Sequence, residues 1–191
     1  MPTLLITPEN QIQRLNLLMK KIDQLQQLET SRLTTLPKPK AWSILEIIEH
    51  MNIAYMFYVE KIDAALAKST DHNSINEPFK VRAWQKIIIM GQRPKDCKRK
   101  WKMKTLRKFE PIFPNDLSQE QINEVFEKFN SLYGHLKQAM LSSRQKEVSK
   151  TKITSAIGPI VTFYLPECFE FLLSHAERHL VQIEETLDSL S

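Results

Sequence analysis

Glycine is scarce in this chain, with three residues among 191. All-β and Rossmann-type folds rely on glycine for tight turns and for backbone that approaches a phosphate, so its scarcity argues against both. Cysteine is equally sparse. Cys97 and Cys168 cannot make a disulfide framework or a thiolate zinc site. Long apolar runs are missing too: stretches such as Ile87 to Met90 are far too short to cross a bilayer. The opening MPTLLITPENQIQRLN has neither the basic start nor the apolar core of a secretory signal. Together these absences predict a protein without a membrane span, working in a reducing, cytoplasmic compartment.

What the chain has in quantity is Leu, Ile, Glu, Gln and Lys, residues that favour or tolerate helix. A first helix is expected over about 8–31. Thr7 caps it, Pro8 takes the first helical position, and Glu9 faces the positive dipole end. Ile12, Leu15, Leu18, Met19, Ile22, Leu25 and Leu28 then recur at helical spacing. LPKPK at 36–40 cannot stay helical and connects to a second helix at about 43–68. On that helix Glu49, Asn52, Glu60 and Asp63 form the expected solvated stripe. Ile47, Ile48, Met51, Tyr55, Phe57, Tyr58 and Ile62 lie on the apolar arc, and His50 sits on its flank.

The segment 69–117 is too long for a simple connection, and a short helix is expected within it at about 81–90. Ser118 and Gln121 form a capping box that opens a third helix. Its apolar stripe is Ile122, Val125, Phe126, Phe129, Leu132, Tyr133, Leu136 and Met140. A fourth helix is expected at about 162–190, with Phe169, Leu172, Leu173, Ala176, Leu180 and Ile183 on its apolar face. The expected fold is all-α, with four amphipathic helices and one long crossover making a bundle whose second and third helices run parallel. Residues 1–191 are read as a single domain carrying an inserted basic segment at about 70–117.

That insertion holds the charge asymmetry. From Arg82 to Lys108 there are eleven Lys or Arg against one acidic residue, Asp96, in a chain of net charge +5. The segment also carries Trp84 and Trp101, so an anionic partner is one reading. No nucleic-acid-binding motif accompanies the charge, which favours the other: a solvated loop at the bundle mouth that steers an anionic substrate.

The candidate chemistry lies in SHAERHLVQIEE. His175 and His179 are four apart and project from one helix face, as a metal held by imidazoles requires. In a chain with five histidines such a pair arises by chance about one time in ten, so the pair alone does not define a site. An HExxH protease is excluded, because Ala176 follows the first histidine and Glu177 points elsewhere. A third ligand must come from another helix. His50 is the remaining histidine on a core-facing surface, whereas His72 falls in the long loop and His135 beside Gly134.

The segments KAWSILEIIEHMN and TSAIGPIVTFYLPECFEFLLSHAERHLVQIEE, in this order and at this separation, resemble the DinB/YfiT-like superfamily. The resemblance covers nearly the whole chain except the longer middle segment. It implies an up-down-down-up four-helix bundle, with nickel, zinc, manganese or a similar divalent ion held by His50, His175 and His179. It further implies a small-molecule substrate and a homodimer. Similar proteins include metal-dependent hydrolases and transferases that use low-molecular-weight thiols such as bacillithiol, so water and thiol both stand as nucleophiles.

Four other residues can be weighed. Glu46, one turn before His50, reads either as a helix-entry carboxylate or as a group that orients an imidazole or acts as base. Gln182, one turn after His179, matches the trailing Gln of the family pattern and could touch ligand or substrate. Cys168 reads as a small core residue, and Cys97 as a thiol among cations. The alternative to an enzyme is a non-catalytic helical protein whose 82–108 segment contacts an anionic partner.

Overall fold

The computed structural model describes residues 3–72, 78–96, 98–99, 104–114 and 116–190. Cys97 and Trp101 lie outside the described residues. Six helices dominate: α1 (Pro8–Leu25), α2 (Thr30–Thr34), α3 (Ile44–Lys68), α4 (Ala83–Gln92), α5 (Gln119–Ser143) and α6 (Leu165–Ser189). The fold is an all-α four-helix bundle of α1, α3, α5 and α6. Two antiparallel ribbons accompany it: β1 (Leu5–Ile6) with β2 (Phe79–Lys80), and β3 (Lys152–Thr154) with β4 (Thr162–Tyr164).

Side-chain pairs along the bundle give its directions. α1 and α6 run parallel, since Gln11 meets Glu170, Arg14 meets Glu177 and Lys21 meets Glu184 in step. α3 and α5 also run parallel, with Asn52 at Val125 and Asp63 at His135. α3 opposes α6, for His50 lies by His179 while Tyr58 lies by Phe171. The order is therefore up-down-down-up, with the long α3-to-α5 crossover that parallel neighbours require.

Local signals set several boundaries. The Thr7 hydroxyl accepts the Asn10 N–H, and both Ser43–Glu46 and Ser118–Gln121 close full capping boxes. The predicted stripes fill the core: Leu15, Leu18, Ile22, Ile47, Ile48, Met51, Phe126, Phe129, Leu136, Phe169 and Leu173 are all buried.

Other boundaries differ from expectation. The first helix stops at Leu25, six residues early, because short i→i+3 bonds from Gln26, Gln27 and Leu28 tighten and end it. Leu28 still packs on the core from the following turn. The fourth helix starts at Leu165, three residues late. Thr162–Tyr164 is a strand paired with Lys152–Thr154, and Glu167 reaches back to accept the Tyr164 N–H at 2.9 Å. The short helix is shifted to Ala83–Gln92.

Asn52 corrects the solvated stripe. It is fully buried in the α3–α5 seam, where its amide donates to the Val125 carbonyl at 3.0 Å and to Glu49, itself paired with Lys128. Phe57 is a correction in the other direction: it is 40% exposed and meets Phe109 edge-on.

The basic segment docks on the bundle. Arg82 pairs with Glu167 at 2.6 Å, Arg93 with Glu170, and Arg99 with Glu185, so cations of the insertion meet carboxylates of α6. Glu167 and Glu170 are fully buried. Glu170 also accepts from Arg14 at 2.7 Å and from Gln11 at 3.0 Å. Buried carboxylates remain ionised only with such partners. Among the described residues no helix is long and apolar enough to cross a membrane.

Candidate metal centre

His175 and His179 project side by side from the middle of α6, and His50 faces them from the antiparallel α3. Their ring centroids lie 4.5 Å apart for His175–His179, 4.5 Å for His50–His179 and 5.3 Å for His50–His175. One nitrogen from each ring can be chosen so that all three lie within 4.8 Å of one another. The α3–α6 crossing produces this meeting, since antiparallel packing brings residue 50 level with 175–179.

Hydrogen bonds orient two of the rings. His50 Nδ1–H donates to the Phe109 carbonyl at 2.8 Å, from the 3₁₀ turn Arg107–Phe109. His179 Nδ1–H donates to the Gln182 side-chain oxygen at 3.1 Å. Each bond leaves Nε2 as the bare lone pair, the usual way in which an outer partner prepares an imidazole ligand. Trp42 packs against His50 at 4.9 Å between ring centroids.

The Nε2 atoms of His175 and His179 stand 3.2 Å apart. Two bare lone pairs at that distance repel unless a proton or a cation lies between them. Two ligands of a tetrahedral ion at about 2.05 Å sit about 3.3 Å apart, so the α6 pair fits one divalent ion. His50 can offer a third nitrogen within 4.8 Å of the other two, and three imidazole nitrogens suit nickel, zinc or a related ion.

The electrostatics favour the neutral form of these rings. Burial pushes His175 down to about 3, aided by neighbouring His50 and Arg178. Burial likewise drives His179 well below its ordinary value, with His175 and His50 adding to the effect. His50 is lowered by burial, partly offset by its bond to Phe109. Neutral imidazole is the form that binds metal.

The cluster opens into a cavity of about 720 Å³ lined by Trp42, Tyr58, Leu106, Phe109, Phe171 and Gln182 among others. Tyr58 is braced by the Ser155 hydroxyl at 2.8 Å and the Ala156 N–H at 3.0 Å.

The other candidates divide. Gln182 lines the cavity and holds His179. Glu46 accepts the Ser43 N–H at 2.7 Å in the α3 capping box and is not part of the described cavity wall. Cys168 is fully buried in the core, and burial pushes its thiol up. His135 bridges Tyr55 and Asp63 on the α3–α5 face, away from the cluster. Glu177 pairs with Arg14 at 2.7 Å.

Two contributors escaped the sequence reading. The Phe109 carbonyl comes from the insertion, and a backbone acceptor leaves no side-chain signal. Arg178 also lines the cavity; its spacing from His175 and Gln182 on one helix face could have revealed it.

Fold and cluster together define a four-helix bundle with a three-histidine centre shared by two antiparallel helices. The family comparison agrees over most of the length: the DinB superfamily profile matches residues 18–183, and the chain belongs to that superfamily. Among solved structures, the chain is similar to YfiT from Bacillus subtilis, described as a probable metal-dependent hydrolase with an unusual four-helix bundle topology. The likeness has a TM-score of 0.58 at 15% identity and covers 96% of this chain and 87% of YfiT. At that identity it supports the fold. No curated protein matches at a significant level.

Proposed function

We propose that this chain is a divalent-metal-dependent enzyme acting on a small molecule, with His50, His175 and His179 as ligands. The observation that carries the proposal is the 3.2 Å approach of two imidazole Nε2 atoms beside a third buried imidazole whose Nδ1–H is spent on a carbonyl. Three nitrogens leave coordination positions open, as in catalytic rather than structural sites. A divalent ion there supplies Lewis acidity, polarising a substrate oxygen and easing deprotonation of a water or thiol nucleophile.

The chain's own residues perform the remaining tasks. Phe109 and Gln182 fix the ring orientations, Trp42 packs against His50, and Trp42, Phe109 and Phe171 give the cavity wall an apolar part for the substrate. Hydrolysis is the first assignment, in keeping with the description of YfiT. Transfer of a low-molecular-weight thiol such as bacillithiol uses the same centre. Free Cys168 suits a reducing cytoplasm, and a homodimer is proposed by family analogy alone.

Arg82, Arg93 and Arg99 of the insertion pair with α6 carboxylates, which argues against a basic surface devoted to an anionic macromolecule. Glu46 is occupied in its capping box, so its assignment here is structural.

Metal analysis of untagged protein tests the proposal. Near-stoichiometric nickel, zinc or manganese is expected, and loss of that metal in a folded His175→Ala/His179→Ala variant. Wild-type protein that can be loaded with none of these ions would remove the proposal. Metal-dependent turnover of ester, amide and thiol-acceptor panels then separates hydrolase from transferase.

A further inference from the structure

We infer that Lys108 is a positioning residue of the metal centre: its ammonium fixes the turn whose Phe109 carbonyl holds the His50 ring as a ligand. This rests on the metal-enzyme reading and deepens it by naming a residue of the insertion that acts on the centre through two others.

The turn cannot place that carbonyl by itself. Arg107–Phe109 is a single 3₁₀ turn, in which the Phe109 N–H donates to the Leu106 carbonyl at 2.8 Å and the Glu110 N–H to the Arg107 carbonyl at 3.2 Å. Segments this short have little stability of their own and lie where outside contacts put them. Yet the bond from His50 Nδ1–H to the Phe109 carbonyl is 2.8 Å long, a length that both groups keep only while both are fixed. The turn needs an anchor.

Lys108 supplies it at three points. Its Nζ donates to the Ala156 carbonyl at 2.6 Å, a charge-assisted bond of the short, strong kind. The same ammonium lies 4.9 Å from the Phe109 ring centroid and 5.2 Å from that of Phe57, within the range of cation–π attraction to both. Those two rings meet edge-on at 5.1 Å. Phe57 follows His50 by seven residues, which is two turns along one face of α3. Phe109 therefore touches that face twice, with its ring at Phe57 and its carbonyl at His50.

Ala156 is a firm post for the ammonium. It lies between β3 and β4, and its N–H donates to the Tyr58 hydroxyl at 3.0 Å. Tyr58 also bonds the Ser155 hydroxyl at 2.8 Å, and Lys61 donates to the Thr154 carbonyl at 3.0 Å. The hairpin is thus pinned to α3, and Lys108 carries that fix across to the turn. Loss of the ammonium frees the Phe109 carbonyl to drift. The His50 proton can then move to Nε2, the nitrogen that the carbonyl bond leaves bare to take a metal.

Proton–nitrogen correlation spectra of the imidazoles report which ring nitrogen carries the proton, and they are recorded on metal-free protein at about pH 8, where an ordinary histidine is neutral. Wild type should show His50 with its proton on Nδ1. Lys108→Met keeps the side-chain length but removes donor and charge, and should shift His50 to a mixture of the two tautomers. Its zinc affinity, measured by competition with a chelating dye, should fall by about tenfold, the lower end of what an imidazole ligand loses with its outer partner. Lys108→Arg keeps charge, donor and ring contact, and should restore the wild-type tautomer and most of the affinity. Arg107→Gln, an exposed cation of the same turn outside the cavity wall, should behave as wild type. If Lys108→Met fails to fold by circular dichroism, Lys108→Gln takes its place.

An unchanged His50 tautomer in the folded, uncharged variant overturns the inference, and so does a zinc affinity equal to that of wild type. The two readings fail separately. A wild type that takes no zinc removes the metal reading, and the metal-free spectra still decide whether Lys108 holds the His50 ring. Tight zinc binding with or without the Lys108 ammonium keeps the metal reading and sinks this one.

Discussion

Acidification should cost far less metal affinity than three ordinary histidines would lose while weakening the metal-free fold, because the same depressed imidazole pKa values act on both. An ordinary histidine with a pKa near 6.5 is about three-quarters neutral at pH 7 and about 3% neutral at pH 5. A site of three such ligands would lose about 25-fold per ligand, or about 10⁴-fold in affinity, across that interval. Here burial holds His175 at about 3, so it stays neutral at pH 5, and burial drives His179 in the same direction. His50 and His179 are both lowered from their ordinary value, so the whole loss should stay below about 10³-fold.

The effect on stability runs the other way. Above pH 6.5 neither folded nor unfolded chain protonates these rings. Below it the unfolded chain takes up protons that the folded site refuses, so metal-free stability falls as pH drops. Each ring contributes a slope of up to about 1.4 kcal/mol per pH unit. Cobalt(II) titration at pH 7, 6 and 5, read by visible absorbance, measures the first effect. Urea midpoints of the metal-free protein at the same pH values measure the second, which should flatten in His175→Ala/His179→Ala. A drop in affinity of 10³-fold or more between pH 7 and 5 would refute the electrostatic account of the site.

Replacing buried Glu170 by Gln leaves the Arg14 and Arg93 guanidinium groups facing an amide, and should destabilise by about 3 kcal/mol in urea unfolding. Asn52→Ala strips the Val125 carbonyl of a buried donor and should cost about 1–2 kcal/mol by the same measurement. Because Arg82, Arg93 and Arg99 are engaged with α6, fluorescence anisotropy should find no tight duplex DNA binding. Affinity that falls about 10³-fold between 50 and 200 mM salt would contradict that expectation.

Helices are written locally, and most of this bundle was therefore legible. The caps at Thr7, Ser43 and Ser118 act within three residues of themselves, and the apolar stripes of α5 and α6 need only the 3.6-residue period. The four-residue spacing of His175 and His179 is equally local, and the family likeness supplied the pairing with His50. What failed depended on distant partners. β4 was read as helix because its pairing strand lies outside the window in which periodicity is judged, and Asn52 was read as solvated because a helical wheel does not show that α5 covers it.

Tertiary structure alone decided that cations of the insertion would be matched by Glu167, Glu170 and Glu185 and that a Phe109 carbonyl would orient His50. It also placed Arg178 in the wall of the histidine cavity. Periodicity and capping are properties of neighbouring residues. The partner of a buried charge or a ring nitrogen is chosen by which elements pack together, and packing minimises a free energy summed over the whole chain.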